Sequence, residues 1–233
     1  MAESIETLKG LIADLRIGIS LCTRFPIGTA ASLNDGEVAR ASWAFPVAGI
    51  LVGLGGALAY WVAIRLNVAP IPAAALALAA TMALTGAMHE DGLADSFDGL
   101  GGNTREKKLE IMRDSRIGTF GTLALVITLL LRWSTLADIA EPRYVAIAMV
   151  CANASARAGM TAFMHLVPLA RADGLSSGAG RPPGQCVAAA LAIAGIITAR
   201  IAIRQIGGQT GDVLGAFEQV GEAIILLVAA SLF

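Results

Sequence analysis

The chain has 233 residues, of which 56% are hydrophobic and only 15% charged, with a mean hydropathy of +0.70. Soluble domains carry about a quarter charged residues, so this composition excludes an ordinary water-soluble globule and makes the bilayer the solvent. A net charge of −1 supplies no basic field, which argues against a nucleic-acid partner.

The expected architecture is all-α: a polytopic membrane protein with about five to seven membrane-embedded helices. Residues 1–233 form a single integral membrane domain, with no convincing internal repeat. The opening MAESIETLKG lacks the basic and then apolar pattern of a cleaved signal peptide. In residues 1–25, Ile5, Leu8, Ile12, Leu15 and Ile19 recur at helical spacing while Glu6, Lys9, Asp14 and Arg16 occupy other faces. That pattern suits an amphipathic helix lying at the membrane interface.

Residues 44–64 and 70–88 read as clean spans joined by the short turn RLNVAP. A GILVG pair at Gly49 and Gly53 permits close helix packing, although such pairs are common in apolar sequence. Residues 89–116 are polar and carry Arg105, Lys107, Lys108, Arg113 and Arg116, which places this segment on the cytoplasmic side by the positive-inside rule. Residues 117–137 and 144–167 form a second hairpin of spans, and Arg171 and Arg181 follow it.

The alternation of sides then fails. Residues 185–203 supply one apolar stretch before RQIGGQTGD, whose neighbours Arg200 and Arg204 argue against the far side, and residues 213–233 form a last apolar stretch with Glu218 and Glu222. Cys22, Cys151 and Cys186 form no CxxC pair and read as small core residues. Trp43, Trp61, Trp133 and His165 read as core or interface anchors.

The chemistry concentrates in HEDGLADSFDGLGG, residues 89–102. Asp91, Asp95 and Asp98 are spaced i, i+4, i+7, one stripe of a helix, and three like charges so placed repel unless a cation neutralises them. Magnesium takes one or two carboxylates plus water and substrate phosphates, so Mg2+ and a diphosphate substrate are expected. Gly99, Gly101 and Gly102 end that helix, and Asn103 with Glu106 resembles a capping pair that starts the next. Lys107, Lys108, Arg113 and Arg116 then lie where they could clamp phosphoryl oxygens, while Asp114 could complete the metal shell or orient an arginine. Arg157, within an apolar helix beside Asn153 and Ser155, is costly to bury and calls for an anionic partner.

Plainer readings stand beside these. A mixed-charge loop is often only a solvated face, and Lys107 and Lys108 also suit lipid headgroups. His89 is either a general base or a helix-end histidine satisfied by hydrogen bonds. Membrane prenyltransferases and alcohol phosphotransferases also hold magnesium diphosphates with spaced aspartates, and a transporter would instead spread its charges through several spans.

HEDGLADSFDGLGG, LEIMRDSRIGTFG, GGQTGDVLGA, TRFPIG and ARADGL together resemble the cobalamin synthase family, in order over nearly the whole chain. The resemblance implies a magnesium-dependent enzyme of the bacterial inner membrane that joins adenosylcobinamide-GDP to α-ribazole or its 5′-phosphate and releases GMP. It implies Asp91, Asp95 and Asp98 as metal ligands, with Asp95, Asp98 or His89 as the base. Arg113, Asp114 and Arg116 become catalytic, and Lys107, Lys108, Arg157 and Asp212 substrate-binding. Membrane lipid is an implied partner, and a homo-oligomer is left open. One departure stands out: members of the family usually have two apolar segments between ADGL and GGxTGD, where CVAAALAIAGIITARIAIRQIGG has room for one.

Overall fold

The computed structural model describes residues 2–27, 36–171 and 221. Helices dominate them: α1 (Ala2–Cys22), the short α2 (Glu37–Ala41), α3 (Phe45–Arg65), α4 (Pro70–Thr85), α5 (Met88–Gly99), α6 (Arg105–Ile111), α7 (Thr119–Ile139) and α8 (Pro142–Leu166). This is an all-α polytopic membrane protein. Three stretches among the described residues are long and apolar enough to cross a membrane, namely Glu37–Arg65, Thr119–Ile139 and Pro142–Leu166. The pair α4 and α5 makes a fourth, bent by 90°.

The bend corrects the expected span over residues 70–88. Helix α4 stops at Thr85, where Gly86 (φ 69°) and Ala87 (φ 56°) both take left-handed backbone. The N–H groups of both residues bond back to the Met82 carbonyl, closing the helix end. Glycine is the inexpensive residue for that conformation, and a Cβ on Gly86 would collide with the Arg24 guanidinium lying across it. At 16 residues, α4 is about 24 Å long, short of a full crossing.

Helix α1 lies outside the three spans, as its mixed surface predicts. Only the C-terminal part of the apolar line turns inward, with Ile19 packed against the core. Asp14 and Ile17 are buried, whereas Leu8 and Ile12 are exposed. Asp14 accepts hydrogen bonds from Arg40 Nε at 2.9 Å and Trp43 Nε1 at 3.1 Å, tying α1 to the entrance of α3. The exposed apolar line is then available to the membrane interface.

The centre of the bundle is the antiparallel contact of α3 with α8. Gly49 and Gly53 make it: a Cβ on Gly49 would stand 2.7 Å from Ala154 Cα and nearer still to Asn153 O, and one on Gly53 would stand 2.7 Å from Met149 O. The GILVG pair is thus the place where two backbones touch. Helix α4 packs on the same region, with Ala73, Ala74 and Ala77 in one buried cluster with Tyr60, Leu136 and Met149. Around this core, Phe120, Leu123, Ile127 and Leu130 of α7 face outward at helical spacing, as a lipid-facing surface does.

The apolar stretches expected over residues 185–203 and 213–233, with Arg181, Cys186, Arg200, Arg204, Glu218 and Glu222, lie outside the described residues. Gly221 alone is described there, and it lies against Ala156 of α8.

Candidate active site

Helix α5 carries the acidic motif, and its three aspartates have three different surroundings. Asp91 is exposed, Asp95 half-buried and Asp98 buried. The Asp98 carboxylate accepts from Gly118 N at 2.6 Å and from Gly121 N at 2.8 Å. It caps the N-terminus of α7 from a neighbouring helix, where the free N–H groups and the helix dipole favour a negative charge. Both glycines leave room for it, since a Cβ at either position would run into the Asp98 carboxylate.

The start of α6 is one residue later than Asn103 suggests: Thr104 is the cap, and its hydroxyl accepts from Lys107 N at 3.2 Å. The helix stops at Ile111, so residues 112–118 form a turn. The cations of this segment divide. Lys108 is buried and its amine donates to the Leu100 carbonyl at 3.3 Å, closing the C-terminal end of α5. Lys107 pairs with Glu110 at 2.9 Å on the surface. Arg113 is exposed. Arg116 Nε donates to both oxygens of Asp114 at 3.0 Å, so orienting an arginine is what Asp114 does.

That hydrogen bond from Arg116 holds the Asp114 carboxyl down to about 2. A depressed carboxyl contributes stability that is present above its unfolded value and lost as pH falls through the folded one, here between about 4 and about 2. Arg116→Gln is expected to return Asp114 to the ordinary range near 3.8. A carbon-13 NMR titration of the Asp114 carboxyl checks this, and an unchanged midpoint would refute the pairing.

A second polar group was not expected from the sequence. His89 and Glu90 of α5, Arg132 of α7, and Asn153 and Arg157 of α8 meet in the interior beside Thr81 and Thr85 of α4 and Val52 of α3. His89, Arg132, Asn153 and Arg157 are each 1% exposed and Glu90 8%. Arg132 Nη1 donates to Glu90 Oε1 at 3.3 Å, and Arg157 Nη1 donates to Asn153 Oδ1 at 2.9 Å and Asn153 O at 3.2 Å. Arg157 thus lies with His89 and Glu90 in the core, on a different part of α5 from the Asp98 cap. The signal for this group was Arg132, an ionisable residue within an otherwise apolar span.

Among the described residues, no three histidines, cysteines or carboxylates converge as a metal cage. Asp91 and Asp95 remain as a pair one turn apart on accessible surface, which fits magnesium held by two carboxylates and completed by water and phosphate oxygens. Asp212 lies outside the described residues.

Comparison with known proteins bears on what this helix serves. The family model described as cobalamin-5-phosphate synthase matches residues 14–230. A Bradyrhizobium diazoefficiens protein named adenosylcobinamide-GDP ribazoletransferase is 56% identical, covering 99% of this chain and 98% of its own length. Proteins of the same name from Mesorhizobium japonicum and Ralstonia nicotianae are 43% and 39% identical, covering 95% and 96% of this chain and 94% and 97% of their own lengths. No solved structure matches. The Bradyrhizobium alignment runs over 255 positions against 233 residues here, so more than twenty positions of that relative have no counterpart in this chain, roughly one membrane-crossing helix. With the match spanning the acidic helix, both hairpins and the C-terminal stretch, the chain belongs to the cobalamin-5-phosphate synthase family.

Proposed function

We propose that this chain is a magnesium-dependent transferase of cobalamin biosynthesis that joins adenosylcobinamide-GDP to α-ribazole or its 5′-phosphate and releases GMP. The observation that carries the reading is the near-full-length likeness to proteins named adenosylcobinamide-GDP ribazoletransferase. The accessible Asp91 and Asp95 pair on α5 supports the metal part of it.

In the reaction, the acceptor hydroxyl attacks the phosphorus on the cobinamide side, a P–O bond forms, and the P–O bond to GMP breaks. Asp91 and Asp95 would hold magnesium, which when bound would neutralise charge on the diphosphate. Asp98 gives its oxygens to the start of α7 and so sets the depth of that face. Of the three candidate bases, Asp95 is the accessible one to take the hydroxyl proton, because His89 and Asp98 are buried. Arg113 and Arg116, exposed beyond α6, steady phosphate oxygens, with Asp114 fixing Arg116.

The acidic segment faces the cytoplasm from the bacterial inner membrane, because its basic neighbours follow the positive-inside rule. Lipid contacts the outward apolar faces. The purified, detergent-solubilised chain is expected to release GMP and form a cobalamin product from adenosylcobinamide-GDP, α-ribazole and magnesium, with EDTA abolishing both. Folded protein that forms neither product would refute the proposal.

A further inference from the structure

Helix α5 is held against α7 at both of its ends, and the two attachments differ in kind. At the C-terminal end, Asp98 accepts from Gly118 N and Gly121 N. At the N-terminal end, Glu90 is paired with Arg132 at 3.3 Å, with the two side chains 11% and 1% exposed. The antiparallel run brings residue 90 to residue 132 and residue 98 to residues 118–121, so the pins stand about 12 Å apart along α5 at 1.5 Å per residue. Between them, at the edge of the pinned face, sit Asp91 and Asp95, the first exposed and the second half-buried.

A buried ion pair is a weak device for stability, since desolvation offsets most of its Coulombic gain. It is a strong device for geometry, because both charges are costly anywhere but against each other. The geometry points to Glu90 and Arg132 as positioning residues that fix the rotation of α5 and so aim Asp91 and Asp95 at a shared cation; this rests on the reading of those two aspartates as the metal pair. The demand is real in ångströms. Carboxylates stand about 5 Å from a helix axis, so a rotation of roughly 20° would carry them nearly 2 Å, and magnesium requires near-ideal octahedral geometry at about 2.0–2.1 Å.

The test removes both charges together, because deleting one leaves the other buried without its opposite charge in the pair. The double variant Glu90→Gln with Arg132→Met is expected to insert and purify as wild type does. Its kcat should fall about 10- to 100-fold, the scale of an ångström-level misplacement, with the KM for α-ribazole unchanged. Manganese(II) affinity, read without substrate by electron paramagnetic resonance, should fall at least five-fold by the same argument. Arg132→Lys, which keeps the charge, should recover part of both. Should the double variant fail to fold, Glu90→Asp carries the test: it keeps both charges, shortens the reach by one methylene, and should weaken manganese binding in folded protein.

Folded double variant or Glu90→Asp protein with wild-type kcat and manganese affinity overturns the positioning role and leaves the metal pair standing. Wild-type protein that binds no manganese, or an Asp95→Asn variant that binds it as wild type does, overturns the metal reading and the positioning role with it.

Discussion

Asp95→Asn is expected to lower turnover by a factor of 10³ or more, about 4 kcal/mol of transition-state stabilisation, while the protein still inserts and purifies. The substitution keeps the size of the side chain and removes one of two carboxylates on the accessible edge of α5. Magnesium would then keep one of its two protein carboxylates. Asp98→Asn is the informative comparison. Its oxygens are spent on Gly118 and Gly121, so its first effect falls on stability, by about 1 kcal/mol for a weakened cap. Measuring kcat against magnesium for both variants, beside their unfolding temperatures, separates ligand from cap. Wild-type turnover by Asp95→Asn at ordinary magnesium would sink the metal assignment.

Gly49→Val should be the most destabilising change in the α3–α8 contact. The added Cβ meets Asn153 O and Ala154 Cα, both backbone atoms that move only if a helix moves. Overpacking of that kind costs about 1–3 kcal/mol or more, which for a chain of this length lowers the unfolding temperature by roughly 2–4 °C per kcal/mol. Gly55→Ala is the control, since its Cβ would meet only the end of the flexible Leu84 side chain. The measurement is thermal unfolding of the detergent-solubilised protein followed by tryptophan fluorescence. Equal unfolding temperatures for Gly49→Val and wild type would show that the helices separate at little cost. Because Asn153 belongs both to this contact and to the buried polar group, a displaced α8 should also disturb that group.

How far the sequence was legible differs from residue to residue. The spans around residues 45–65, 119–139 and 142–166 follow from long, mostly apolar runs, whose length and composition need no partner to be read. The acidic stripe follows from helical period alone. The break at Gly86 and Ala87 does not, because an apolar run continues across it and the left-handed backbone at Ala87 is imposed by packing. Lys108 read as a phosphate clamp beside Lys107; one bonds to the Leu100 carbonyl and the other to Glu110, a difference that adjacent identical residues cannot display. Glu90 read as one more acid of a polar stretch, yet it is buried against Arg132.

The sequence by itself determined that this is an all-helical membrane chain with an acidic centre, and through its motifs which family it belongs to. Those properties depend on composition and period, which are summed along the chain. Only the tertiary structure decided that Asp98 caps α7, that Gly49 and Gly53 carry a backbone contact, and that Glu90, Arg132, Asn153 and Arg157 share one closed interior. Each of those depends on a partner far away in sequence, and hydrogen bonds and steric contact act only over a few ångströms once the helices have met.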